Sequence, residues 1–71
     1  MNELILIVED EAKITKLARD YLESAGFRVL AAATGPNGLA MARGEQPDLV
    51  VLDLNLPGMD GRDVCRALRK T

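Results

Sequence analysis

The sequence predicts an α/β domain, a doubly wound parallel sheet with element order βαβαβα and strand order 2-1-3. Three observations lead there. Short apolar runs at 4–8, 27–31 and 48–53 alternate with segments of helical period. The first run, "LILIV", is apolar at every position, which is how a strand buried on both faces of a parallel sheet reads. Strands that alternate with helices build a parallel sheet, and right-handed crossovers leave few arrangements. In one of these the first strand is central, flanked by the second and the third.

Each element carries its own signals. After the first strand, Ile14, Leu17, Ala18, Tyr21, Leu22 and Ala25 fall at the spacing of one helix face. Asp10 is the expected N-cap of this helix, and Gly26 is a natural left-handed stop. "FRVLA" at 27–31 is the second strand. Thr34 and Pro36 signal a helix start, and this second helix is expected to run to Arg43 and end at Gly44, before Pro47 breaks the chain. "DLVVLD" at 48–53 is the third strand. A third helix is expected to start after Asp60 or Gly61, with Val64, Cys65 and Leu68 turned inward. Arg66, Arg69 and Lys70 then sit in its last turns, where the helix dipole favours cations.

Bulk properties narrow the function. The chain has 71 residues, 48% hydrophobic and 28% charged, enough for one small domain (1–71) of ordinary globular composition. A formal charge of −2 argues against a dedicated nucleic-acid or anionic-membrane surface. A single cysteine, Cys65, excludes an internal disulfide framework and fits a reducing compartment. No apolar run approaches the ~20 residues of a membrane span, and the N-terminus lacks the pattern of a signal peptide. The expected location is the cytoplasm.

The chemistry concentrates at strand ends. Glu9 and Asp10 follow the first strand, and Asp53 closes the third. In a 2-1-3 sheet those ends are neighbours, at a strand spacing of ~4.8 Å, beside the switch point where doubly wound sheets bind ligands. Two carboxylates ~4 Å apart repel by about 4 kcal/mol at an effective dielectric of 20. Three gather only when a cation joins them or protons neutralise some. Oxygen donors without His or Cys select a hard divalent ion, Mg²⁺ first and then Mn²⁺ or Ca²⁺. The start of the first helix favours an anion such as phosphate at the same place. Taken singly, each acid also has a plain reading: Asp10 as a cap, Glu9 as a solvated residue, Asp53 as a turn former.

"ILIVEDE" followed by an amphipathic helix, and then "LVVLDLNLPGMDG", resembles the receiver domain of two-component response regulators. The resemblance covers this whole chain and about the first three-fifths of the family's domain. It implies a partial flavodoxin-like fold, lacking strands 4 and 5 and helices 4 and 5. It also implies that Asp53 accepts a phosphoryl group from the phosphohistidine of a sensor histidine kinase or a phosphotransfer domain. Asp10 and Asp53 then match direct Mg²⁺ ligands, Glu9 an acid that reaches the metal through water, and the backbone carbonyl of Asn55 a third protein ligand. Pro57 and Gly58 match the loop that places this carbonyl. The top of the first helix, Ala12 to Thr15, matches a kinase-facing surface. An aspartyl nucleophile can form such a phospho-intermediate, with catalysis by positioning and electrostatics.

The family's later Ser or Thr and Lys, which sense and pair with the phosphoryl group, have no counterpart in these 71 residues. Phosphoryl transfer is therefore expected to be impaired. "DLVVLD" would lie at an exposed edge, the kind that pairs with another chain, so self-association is expected through the third strand or through the exposed helix-facing side of the sheet. Two other readings stand beside the first. One is a self-associating half-domain, an assembly module without phosphotransfer. The other is a Mg²⁺-dependent phosphohydrolase with an aspartyl nucleophile, since "VVLDLN" loosely resembles a D-x-D motif in which Asn55 replaces the second acid. No nucleic-acid binding is expected of this chain. Cys65, Met41, Met59, Tyr21 and Phe27 read as packing, and Lys13, Lys16, Arg19, Asp20 and Glu23 as a solvated helix face.

Overall fold

The computed structural model describes residues 3–52. Along them run β1 (Leu4–Val8), α1 (Ala12–Ser24), β2 (Arg28–Ala32), α2 (Gly35–Glu45) and β3 (Leu49–Leu52). The strands pair in parallel in the order β2-β1-β3, the expected 2-1-3 arrangement of a partial flavodoxin-like sheet. The third helix, with Val64, Cys65 and Leu68, lies outside the described residues, as do Asp53, Asn55, Pro57, Gly58 and Met59.

β1 is central because its residues have no polar side to give to water. Ile5, Leu6, Ile7 and Val8 are all buried, Leu6 and Val8 completely, and full burial of such a side chain stabilises by about 1.5–3 kcal/mol. Its even and odd positions face opposite ways. Leu6 and Val8 form a cluster with Ala32 and Ala42, and Leu30, Met41, Val50 and Leu52 pack against it. This is the α2 side of the sheet. Ile5 and Ile7 point to the other side, where α1 lies against β2.

α2 sits very close to β1. A Cβ added at Gly38 would lie 2.7 Å from both methyl carbons of Val8, so only a glycine permits this approach. The start of α2 is fixed as its sequence indicated: the Thr34 hydroxyl accepts from the Asn37 N–H at 3.2 Å, and Pro36 occupies the first turn. Its end differs from expectation. Gly44 is inside the helix, Glu45 is the last residue, and Gln46 takes the left-handed conformation at φ 50°. The Gln46 N–H still reaches the Ala42 carbonyl, and the chain turns only where Pro47 has no N–H to continue the ladder.

α1 ends as its sequence indicated. Gly26 has φ 96°, the Phe27 N–H donates to the Leu22 carbonyl and the Gly26 N–H to the Glu23 carbonyl, both at 3.0 Å, which together make a Schellman closure. Three expectations need correction. The N-cap is Glu11, not Asp10. β2 is shifted by one residue, because Arg28 pairs with Leu4 and Ala32 with Val8 while Phe27 is taken up in the helix closure. The apolar face of α1 is divided: Ala18 and Leu22 are half-buried together with Thr15 and Arg19, whereas Ile14, Leu17 and Tyr21 are 52%, 72% and 75% exposed. Tyr21 is thus not a packing residue here. Helix α1 lies along β2, so its contact is narrower than its apolar stripe.

β3 begins one residue later than expected. Asp48 stands outside the ladder and joins it to β1 from both sides: its N–H donates to the Leu4 carbonyl at 2.8 Å, and its carboxylate accepts from the Leu4 N–H at 2.7 Å. No helix among the described residues is long and apolar enough to cross a membrane.

The Gly38–Val8 approach yields a coupling prediction. Gly38→Ala should destabilise the chain by about 1–2 kcal/mol in urea unfolding, overpacking outweighing a helix-propensity gain of about 1 kcal/mol. In a Val8→Ala background the same change should become neutral or favourable. Equal effects in both backgrounds would contradict the contact.

Candidate functional site at the carboxyl end of the sheet

All three strands are parallel, so their carboxyl ends share one edge of the sheet. Val8 is paired with Ala32 on one side and with Leu52 on the other. The two acids that follow β1 therefore leave the sheet beside the end of β3. Leu52 immediately precedes Asp53 in the sequence, just as Val8 immediately precedes Glu9.

Glu9 is held twice. Its N–H donates to the Ala32 carbonyl at 3.0 Å, which extends the β1–β2 ladder by one bond. Its carboxylate accepts from the Glu11 N–H at 3.1 Å. Glu11 is extended (φ −87°, ψ 108°) and its own side chain makes no capping bond. The first amides of a helix lack partners within it, and the preceding Glu9 carboxylate supplies an acceptor just ahead of them. The Glu11 carbonyl then accepts from the Thr15 N–H at 3.1 Å and from the Thr15 hydroxyl at 3.3 Å. Asp10 lies between the two fixed residues and its side chain is exposed.

Asp10 thus stands at the sheet edge where the sequence places it, but as an exposed acid in the turn rather than as a cap. Glu9 is half-buried, not a purely solvated residue. Among the described residues no group of three His, Cys, Asp or Glu is close enough to hold a metal ion. The expected partners Asp53 and Asn55 lie outside the described residues. The donors present fit a hard cation: an exposed carboxylate at Asp10, a neighbouring one at Glu9, and no histidine anywhere in the chain. Sequence reasoning missed the bond from Glu9 to the Glu11 amide. Its only trace was an acid two residues before a helix that begins without a Ser, Thr, Asp or Asn cap.

An open cleft of about 550 Å³ adjoins this turn, between α1 and the end of β2, with Asp10, Thr15, Lys16, Arg19 and Ala31 among its walls. Both acids of the turn, Glu9 and Asp10, line it, together with α1 and the end of β2. Lys16 pairs with Asp20 at 2.9 Å across one helical turn. The hydrogen bond from Lys16 to Asp20, and then the charge of Asp20, hold the ammonium above the ordinary lysine value of 10.5. A raised folded-state pKa contributes stability below the unfolded value and loses it as pH rises through the folded one. The pair is exposed and screened by solvent.

The sequence matches the family profile described as the response regulator receiver domain over residues 5–71. It is 46% identical over 70 residues to the alkaline phosphatase synthesis transcriptional regulatory protein PhoP of Bacillus subtilis, covering 99% of this chain and 29% of that protein. It is 48% identical over 71 residues to the transcriptional regulatory protein AfsQ1 of Streptomyces coelicolor, covering 100% of this chain and 31% of that one. Among solved structures it is similar to the BeF3-activated N-terminal receiver domain of Klebsiella pneumoniae RstA, with TM-score 0.91, 37% identity, and 96% and 58% of the two chains covered. It is similar also to the chemotaxis response regulator CheY4 of Vibrio cholerae, with TM-score 0.94, 32% identity, and 97% and 57% covered. The chain thus spans about three-tenths of these curated relatives and over half of these solved receivers.

The ion pair on α1 is directly testable. Asp20→Asn should return the Lys16 titration, followed by NMR at its side chain, toward the ordinary lysine value. An unchanged titration would show that the Lys16–Asp20 bond is not kept in solution.

Proposed function

The chain belongs to the response regulator receiver domain family, and from that premise we propose that it is the phosphoacceptor module of a two-component signalling pair, modified on Asp53. The phosphodonor would be a phosphohistidine of a sensor histidine kinase or of a phosphotransfer domain. An Asp53 carboxylate oxygen attacks phosphorus, the phosphorus–nitrogen bond breaks, and the imidazole leaves with the electron pair, giving an aspartyl phosphate.

The observation that carries this reading is the register. Val8 and Leu52, the residues before Glu9 and Asp53, are paired in adjacent parallel strands. That pairing supports a site to which both strand ends contribute carboxylates. Asp10, Asp53 and the backbone carbonyl of Asn55 would hold Mg²⁺ directly, with Glu9 beside them. When bound, the ion offsets negative charge on the transferring group. The N-terminal end of α1 adds a positive dipole at the same edge. A beryllofluoride-activated relative among the similar structures supports the choice of that phosphoryl mimic as a probe.

The test is acetyl phosphate or beryllofluoride with Mg²⁺, followed by mass spectrometry. Labelling should map to Asp53 and vanish in Asp53→Asn. Asp10→Asn should slow it by at least about tenfold, the scale of one lost charge–charge contact of ~1.4 kcal/mol. Because the solved receivers are longer, labelling should be slower than in a longer relative assayed beside it. Labelling that persists in Asp53→Asn would overturn the assignment.

A second reading, self-association through β3, is favoured by a separate observation. Among the described residues β3 pairs on one side only, and Leu49 and Val51 are 55% and 46% exposed. A strand edge of this kind recruits another chain. Sedimentation velocity at micromolar concentration should show a dimer or larger species, shifted toward monomer by Val51→Lys. A monomer of 7.7 kDa at every concentration would remove this reading.

A further inference from the structure

We propose that Glu9 serves the site as a positioning residue, its carboxylate holding the Glu11 amide and so fixing the turn that presents Asp10, and that a neutral amide side chain can do the same work. The inference rests on the phosphoacceptor reading for its functional consequence but on the turn geometry for its structural content.

The turn between β1 and α1 has three residues, Glu9, Asp10 and Glu11, and both neighbours of Asp10 are anchored by hydrogen bonds. The position of Asp10 is inherited from them. On the strand side, Glu9 is anchored by the bond from its N–H to the Ala32 carbonyl. On the helix side, Glu11 is anchored by the bond from its N–H to the Glu9 carboxylate and by the bonds its carbonyl accepts from Thr15. One side chain therefore closes the turn on itself, from the residue before Asp10 to the residue after it. Glu11 cannot replace it, since its own carboxylate makes no capping bond.

A carboxylate that acts as an acceptor needs an oxygen at the right reach, not a charge. Gln has the same length and a carbonyl oxygen. Ala has neither. The two substitutions separate a hold on the Glu11 amide that needs only an acceptor oxygen from one that needs the charge of Glu9.

The experiment uses the 71-residue chain, with amide hydrogen exchange at Glu11 and Mg²⁺ titration by NMR as readouts. Glu9→Ala should speed exchange at Glu11 by about tenfold, the size of a lost cap, and weaken Mg²⁺ binding to a similar degree or more. Glu9→Gln should keep Glu11 exchange within about fivefold of the parent, the loss of charge at the helix N-terminus contributing to the remainder. If Glu9→Gln speeds Glu11 exchange as much as Glu9→Ala does, the hold on that amide depends on charge and the proposal fails. Equal Glu11 exchange in all three proteins also overturns it, whether or not Mg²⁺ binds. If the parent binds no Mg²⁺ at millimolar concentration but the exchange pattern is as stated, the phosphoacceptor reading fails and the turn-holding role is supported. Should Glu9→Ala not fold, Glu9→Gln against the parent still decides between acceptor and charge.

Discussion

Strand β1 is paired along both edges and covered on both faces, and the other described elements are placed by the need to satisfy it. Its N–H and C=O groups need partners once water is excluded, so β2 and β3 must lie on either side. Its side chains are apolar at every position, so both faces need cover. The chain meets this by sending α1 to one face and α2 to the other, which right-handed crossovers allow only when the path reverses direction after β2. The reversal creates the switch point, and β1 runs into it.

The chemistry of the sheet edge is a consequence of that burial. Val8 is fully buried and pinned by Gly38 from the α2 side, so the chain leaves the core at a fixed position and direction. It then enters a three-residue turn in which the acids are sorted by exposure. Glu9 is drawn back to the helix start, and Asp10 is left facing solvent. Two adjacent carboxylates thus have different environments within one turn. Only one needs to be available to an incoming ligand for the other to contribute by holding the backbone in place.

Cover of the sheet is uneven. The α2 side is closed by Leu30, Met41, Val50 and Leu52 around the central cluster. On the α1 side, Leu49 and Val51 share the parity of Ile5 and Ile7 and remain exposed, as do Ile14, Leu17 and Tyr21 on the helix. A chain of this size has little apolar burial in reserve, so an open side of this kind weighs on its stability. The same asymmetry explains why α1 turns Thr15, Ala18, Arg19 and Leu22 toward the sheet: it lies along β2, and a full apolar stripe finds no second surface beside it.

The fold was legible because its signals are local. A run apolar at every position, a helical period, and Gly26, Thr34 and Pro47 at element ends each act over a few residues, and each marked its element to within one or two positions. The acids that end β1 were legible in the same way, since Glu9 and Asp10 follow an apolar run, while Asp53 lies outside the described residues. The cap of α1 was not. Asp10 has the residue type of an N-cap, but the helix starts after Glu11, whose amide is held by the longer side chain of Glu9. Nor did Gly38 announce itself, since a mid-helix glycine reads as a weak helix former until Val8 is found against it. The sequence by itself determined the order of strands and helices and the points at which charge leaves the sheet, because hydrophobic period and chain punctuation are written residue by residue. Only the tertiary structure decided which face of α1 is buried, how near α2 approaches β1, and where the Glu9 carboxylate is bound, because these depend on distances between elements that no local pattern carries.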